Sequence, residues 1–306
     1  MNSEFKIIIF NEKGYALPLA LAISFIILLI SISIASSVRS KIKCVFEIQN
    51  RTQAYIKSYS AINEVFYDMT TSVFNTYSMD IYENGKVSKR WNLYGNPIEI
   101  EKGITVKIRH ASGMISPIFQ LDYLRSFIEK ISNNTEKTAK FIDSFLDWQD
   151  ADNLKHLNGS EAFDYKTQGF NYAPRNFYIQ VKEEMKLILG FDEEIYDKIK
   201  DEILYWGASV EPNYLLMSEN LLRTLFSDSG YIDKIIELRS KDEISEDGFE
   251  KLADISIEND GFFASTLPYV VVDVSAEVGE SVDSIQTVIF RQQTLKAPFT
   301  IIEWRR

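Results

Sequence analysis

Residues 12–38 read EKGYALPLALAISFIILLISISIASSV, and everything after Gly14 in that stretch, from Tyr15 to Val38, is free of charge. At 1.5 Å per residue, a helix over 15–38 is about 36 Å long, enough to cross a bilayer. A cleaved secretory signal is the competing reading, with Ala35 to Ser37 as small residues at a cleavage site, although its apolar run is usually shorter. No glycine or proline falls between Leu19 and Asn84. Ile56, Tyr59, Ile62, Phe66, Met69 and Val73 extend an apolar pattern at steps of three and four. One helix is therefore expected from Tyr15 to Tyr77, half in lipid and half against a folded head. A break near Arg39–Lys43 would instead separate an anchor from an ordinary domain helix.

Working outward, the chain has 306 residues, a net charge of −11 and 45% hydrophobic residues. That composition supports a folded core and argues against non-specific nucleic-acid binding, which needs a basic surface. The single cysteine, Cys44, rules out an intrachain disulfide, and two histidines leave little for a histidine-rich metal centre. Ser209 lacks a nucleophile-elbow glycine after it, no phosphate-cradling glycine loop is present, and no pair of carboxylates is fixed across a cleft. The expected protein is not an enzyme.

The polar leader ending in Glu12-Lys13-Gly14, followed at once by Tyr15 and the apolar run, resembles the type III signal of type IV pilins and type II secretion pseudopilins. The resemblance implies cleavage by a prepilin peptidase between Gly14 and Tyr15, with the helix kept on the mature chain. Pro18 then falls in the first helical turn, where its missing N–H costs nothing. Most pilins carry a glutamate at the mature fifth position; here that place is Leu19, as in K-type minor pseudopilins. Arg39, Lys41 and Lys43 after the run outnumber Lys6 and Lys13 before it, so the positive-inside rule alone opposes the orientation that the leader implies.

Beyond the helix, KVSKRWNLY (86–94) and PIEIEKGITVKIRH (97–110) read as short strands, with turns at Glu83-Asn84-Gly85 and Lys102-Gly103. Residues 118–258 read as helix and loop, including QVKEEMKLIL (180–189) and DEEIYDKIKDEILYW (192–206). Strand character returns at PYVVVDVSAEV (268–278), DSIQTVIFRQQT (283–294) and FTIIEWRR (299–306). Val270, Val272 and Val274 alternate with Val271, Asp273 and Ser275, which predicts one buried face. The fold class is α+β: a long N-terminal transmembrane and amphipathic helix, and a pilin-like α/β head interrupted by a large all-helical insertion. The expected divisions are 1–14 leader, 15–38 membrane segment, 39–117 periplasmic helix and first strands, 118–262 inserted helical domain, and 263–306 returning strands.

Within the helical block, Asp147, Asp150 and Asp152 cluster, with Glu161 and Asp164 beyond a turn at Asn158-Gly159. Such oxygen-rich loops suit hard divalent cations, but the spacing is not that of an EF-hand. By spacing alone, a solvated acidic helix end, with Asp147 or Asp152 capping a neighbouring helix, is the favoured account. His156 sits among these acids as a surface histidine or half of an acid–base pair, and Trp148 among Phe141, Ile142 and Phe145 as a core anchor.

Asp147-Trp148-Gln149-Asp150-Ala151-Asp152, Asn158-Gly159-Ser160-Glu161, Tyr165 and Tyr172-Ala173-Pro174-Arg175-Asn176 resemble the signature of the type II secretion minor pseudopilin K family (GspK). Ser160 stands where the family has alanine, and Gly113-Met114-Ile115-Ser116-Pro117 lacks the usual asparagines. The resemblance implies a structural calcium ion on Asp147, Asp150, Asp152 and Glu161. It also implies a tip complex with minor pseudopilins I and J, joined by H, and contact with the major pseudopilin and the inner-membrane assembly platform. The implied location is the bacterial inner membrane, single-pass, with the C-terminal domain in the periplasm. A tip pilin of a type IV pilus or DNA-uptake system, and a signal-anchored periplasmic enzyme or binding module, are the alternatives.

Overall fold

The computed structural model describes residues 16–75, 77–205, 212–226, 229–241, 267–294 and 297–306. The leader, the Gly14–Tyr15 junction, Ser209 and the boundary at 262 lie outside the described residues.

Helix α1 (Ala16–Thr71) runs unbroken for 56 residues, about 84 Å, so residues 39–43 are no hinge. Among the described residues it is the one helix long and apolar enough to span a bilayer, and Leu17 to Ile34 expose their side chains along it. It ends six residues before the expected Tyr77. The Thr70 and Thr71 hydroxyls bond back to the Tyr67 carbonyl, at 2.7 and 3.3 Å. The chain then enters strand β1 (Val73–Phe74). The buried stripe also differs from the expected one. Ala54, Ser58, Ala61, Ile62, Val65, Asp68 and Met69 face the sheet, while Ile56, Tyr59 and Val73 are exposed. Ala54, Ser58 and Ala61 let the helix approach the strands closely, while Ile62, Met69 and partly buried Phe66 of the expected stripe pack inward.

Strands β2 (Ser78–Glu83) and β3 (Lys86–Asn92) form a hairpin on β1. Its turn puts Asn84 and Gly85 at φ 52° and 74°, the left-handed pair that a two-residue hairpin requires. The second sheet is antiparallel in the order β4 (Ile98–Glu101), β5 (Ile104–His110), β6 (Tyr269–Val278), β7 (Ser281–Thr294), β8 (Ala297–Arg305). The sheets join where Gly95 N donates to Ile108 O at 3.0 Å and His110 N to Leu93 O at 2.8 Å. Val270, Val272 and Val274 are buried as expected, but Val271 is buried too, against Met114, Leu204 and Val288 on the opposite face. Residues from the helical block cover that face, so β6 is partly two-sided.

The register fixes which end of the head is which. A Cβ built on Gly279, just past β6, would lie 2.5 Å from Asn50 Nδ2, and Asp283 accepts from Ser58. The β6–β7 turn is therefore at the membrane-near end of the soluble part of α1. The opposite end holds the pair His110↔Val270, beside which the chain leaves β5 and re-enters β6. Between those points lie α2 (Leu121–Ser132), α3 (Thr135–Gln149), α4 (Ala162–Thr167), α5 (Glu193–Ile199), α6 (Glu219–Leu225) and α7 (Ser229–Lys241). Asn133 at φ 48° and Asn134, which accepts from Lys137 N at 2.9 Å, turn α2 into α3. Residues 180–189 hold a 3-10 segment at Lys182–Leu187 in place of the expected α-helix. The helix expected over 192–206 stops at Ile199, and Ile203 instead pairs in parallel with Ile115.

The block is not an appendage. A Cβ on Gly113 would meet the Leu216 carbonyl oxygen at 2.0 Å, and Asn213 N donates to Ser112 O at 2.6 Å. A single apolar core runs from Ile62, Trp91 and Val106 in the head to Phe127, Phe145 and Leu222 in the block.

Candidate cation site

The site is built on the last turns of α3, where positions 143 and 147 share a face at the i, i+4 spacing. The loop after α3 folds back over that face. Asp143 Oδ2 accepts from Asn158 N at 3.0 Å and from its Nδ2 at 2.9 Å. Asp147, fully buried, accepts through Oδ1 from His156 N at 3.0 Å and meets His156 Nδ1 at 2.5 Å. Gly159 lets the loop approach this closely, since a Cβ there would lie 1.9 Å from Asp147 Oδ2. Ser160, the departure from the family alanine, is buried and accepts from Lys140 Nζ at 2.6 Å and Ser144 Oγ at 3.1 Å. Lys140 Nζ also donates to Gly159 O at 2.7 Å.

The loop thus brings the expected acids together in two overlapping groups. Asp147, Asp150 and His156 form one, and Asp150, Asp152 and Glu161 the other, with ligand atoms in each within 4.8 Å of one another. Asp147 Oδ2, Asp150 Oδ1 and both Glu161 carboxylate oxygens are buried without a hydrogen-bond partner among the described residues. Gln149 Oε1 is in the same condition. Asp164, expected nearby, faces away: it accepts from Lys155 Nζ at 2.8 Å and from Glu161 N at 2.9 Å, closing the first turn of α4.

Charge follows geometry. Burial, then Asp152 and Asp147, raises the Asp150 carboxyl above its ordinary range. Burial, then Asp147 and Asp150, does the same to Glu161. The hydrogen bond that the His156 ring makes to the Asp147 carboxylate is the main reason that His156 is raised above 6.5. Buried carboxylate oxygens that accept from nothing and repel one another are costly unless a cation sits among them. The donor set, all oxygen with one imidazole at the rim, suits a hard divalent ion. Asp147 does not cap a neighbouring helix; Asp152 Oδ1 accepts from Leu154 N at 2.7 Å within the loop.

The rest of the motif forms the floor. Trp148 is buried and its Nε1 donates to Glu184 Oε1 at 2.8 Å. Glu184 is also paired with Arg175, and Asn176 N donates to Trp148 O at 2.9 Å. Tyr165 and Tyr172 lie with ring centroids 5.7 and 6.4 Å from Trp148. The Tyr165 hydroxyl accepts from Leu189 N at 3.1 Å. Sequence reasoning missed Glu184, 36 residues from the tryptophan it holds; it set His156 beside the acids without pairing it to Asp147, and took Gly159 for a turn residue alone.

Leu19 is exposed on the membrane part of α1, far along the chain from these residues.

Residues 115–204 match a family model described as type II secretion system protein K. No curated protein matches the sequence. Among solved structures, the fold is similar to GspK in the crystal structure of the GspK–GspI–GspJ complex from the enterotoxigenic Escherichia coli type 2 secretion system. The TM-score is 0.54 at 16% identity, over 84% of this chain and 96% of that one. The central segment is thus similar to type II secretion system protein K, and the fold over 84% of the chain is similar to that of the matched GspK chain.

Proposed function

We propose that this protein is a minor pseudopilin at the tip of the type II secretion pseudopilus, helping to initiate and cap the filament for protein export across the outer membrane. Its role is structural and non-enzymatic. The observation that carries the tip assignment is the exit of the helical block beside His110 and Val270, at the end of the sheet away from the membrane part of α1. A head crowned there presents bulk where a further subunit would have to stack. Leu19 agrees with that position, since a subunit with nothing ahead of it has no N-terminal amine to neutralise.

The prepilin peptidase would cut between Gly14 and Tyr15, leaving α1 as a single-pass inner-membrane anchor with the head in the periplasm. GspI- and GspJ-type subunits are the proposed direct partners, with H, the major pseudopilin and the assembly platform behind them. Asp147, Asp150, Asp152 and Glu161 would hold a structural calcium ion, a reading supported by their orphaned buried oxygens. Deleting the gene should block secretion through the system while leaving no catalytic step missing from extracts. Normal secretion in the deletion strain, or hydrolysis of a sugar or ester by the purified protein, would overturn the assignment.

A further inference from the structure

We infer that the cleft between the five-stranded sheet and the helical block binds a compact organic anion through its carboxylate or phosphate oxygens. Helix α1 packs on the sheet face that carries Val106, Val272 and Val274. The strand register lays out the other face in three rows. Arg109, Val271, Val288 and Glu303 form the row nearest the block, where Met114 and Leu204 cover the two valines. Lys107, Asp273, Gln286 and Arg305 form the second, and Thr105, Ser275 and Ser284 the third. The second and third rows floor a cleft of about 600 Å³ that Lys182, Lys186 and Lys200 of the block also line.

The acids of this cleft are engaged by the protein itself. Asp273 accepts from Arg109 and, at 2.5 Å, from Gln286 Nε2. Glu202 accepts from Ser218 Oγ at 2.7 Å and Asn220 Nδ2 at 3.0 Å. Glu183 accepts from the Tyr196 hydroxyl at 3.1 Å and pairs with Arg305, while Asp201 lies 3.8 Å from Arg109. Donors, by contrast, are in surplus. Among the described residues, the Lys107 ammonium and the hydroxyls of Thr105, Ser275 and Ser284 have no protein partner. Half-buried Lys182 has three N–H groups but only two acceptors, Lys200 O at 3.0 Å and Gln286 Oε1 at 3.1 Å, and neither is charged. Burial lowers its pKa, and Arg305 and Arg109 add to that against the pull of Asp201. A half-buried ammonium without a carboxylate is costly, and an anion in the cleft would offset that cost.

These donors select the ligand. A cation would be repelled by Lys107 and Lys182, and an apolar molecule would cover hydroxyls and an ammonium without accepting from them. An oxyanion accepts from all of them, with charge-assisted bonds to the lysines. The rim sets its size. Glu193, Asp197 and Asp283 hold Lys186, Lys200 and Arg306 from outside the lining. An extended acidic polypeptide would run over those carboxylates on leaving the cleft, within the screening length of about 8 Å, whereas a compact anion stays over the lysines. The cleft also falls in the usual range of small-molecule sites, about 300–1,000 Å³. Such a site is independent of the filament role.

The test is isothermal titration calorimetry on the full-length chain in detergent, freed of calcium on a chelating resin and held at constant ionic strength. Inorganic phosphate and succinate are the compact probes, and hexaglutamate is the extended one. Phosphate or succinate should bind saturably at one site. Lys182→Gln and Lys107→Gln should each weaken that binding about tenfold or more, whereas Lys86→Gln, in β3 and outside the cleft, should leave it unchanged. Lys107 is exposed, so its variant should melt like the parent and report on binding alone. No saturable binding of either compact probe, or parental affinity in both cleft variants, would overturn the inference. Hexaglutamate binding more tightly than both compact probes would show an extended acidic segment as the occupant and refute the proposed one.

Discussion

Replacing Glu161 by Gln should change protein stability in opposite directions with and without calcium. The carboxylate is 6% exposed at the N-cap of α4 and shares a 4.8 Å cluster with Asp150 and Asp152. Two unit charges at that separation repel by about 3 kcal/mol at an effective dielectric of about 20. Solvent at the exposed Asp152 and the raised proton affinities of Asp150 and Glu161 reduce the net effect to about 1–3 kcal/mol. In chelator, Glu161→Gln removes this repulsion while keeping the shape of the side chain. Its new amide can also donate to a neighbouring carboxylate, so the variant should melt roughly 2–10 °C above the parent. With calcium at a thousandfold its dissociation constant, the parent should gain about 4.1 kcal/mol and the variant should gain far less, so the order inverts. Tryptophan fluorescence during thermal unfolding of the full-length protein in detergent is the natural assay, because Trp148 lies next to the loop. A variant that matches the parent's calcium response, or that is destabilised equally in both conditions, would refute the idea that these acids repel one another and share an ion.

Two further outcomes follow from buried charge. Arg175→Ala leaves Glu184, 4% exposed, with only the Trp148 N–H and the weaker Gln180 N–H; because the arginine itself is partly solvated, the cost in urea unfolding should be about 1–3 kcal/mol. A loss below about 1 kcal/mol would show that the pair is not structural. Burial, then Arg291, lowers the His110 pKa from 6.5 to about 4. The unfolded chain therefore binds that proton first, so the stability contribution is complete above about pH 6.5 and is lost as pH falls through 4. The loss attributable to this group is about 3 kcal/mol, and His110→Asn should flatten the stability curve between those limits. An unchanged acid limb in the variant would contradict the assignment.

The parts of the fold legible in the sequence were those with a strong local period. The apolar run of α1, the valine alternation of β6 and the Asn84-Gly85 turn each carry their own signal. The elements that were missed depend on tertiary contact. Strand β2 carries no period of its own in the sequence, and Val73 and Tyr77 continue the helical spacing past the end of α1. Ile203 left the predicted helix for a bridge to Ile115, a pairing made 88 residues away that no local pattern announces. For the site, the acids were visible as a cluster. That their oxygens are buried and unpaired was not, because it depends on the loop folding back over α3. The clue present was Asn158-Gly159, read as a turn when the glycine also makes room for Asp147.

The anchored rod is the claim on which the proposal as a whole depends, and the mature N-terminus tests it most directly. Mass spectrometry of the protein recovered from membranes should find a chain that starts at Tyr15 and retains α1. Recovery of a lipid-free chain trimmed near Val38, or of a membrane form with Met1 intact, would contradict it.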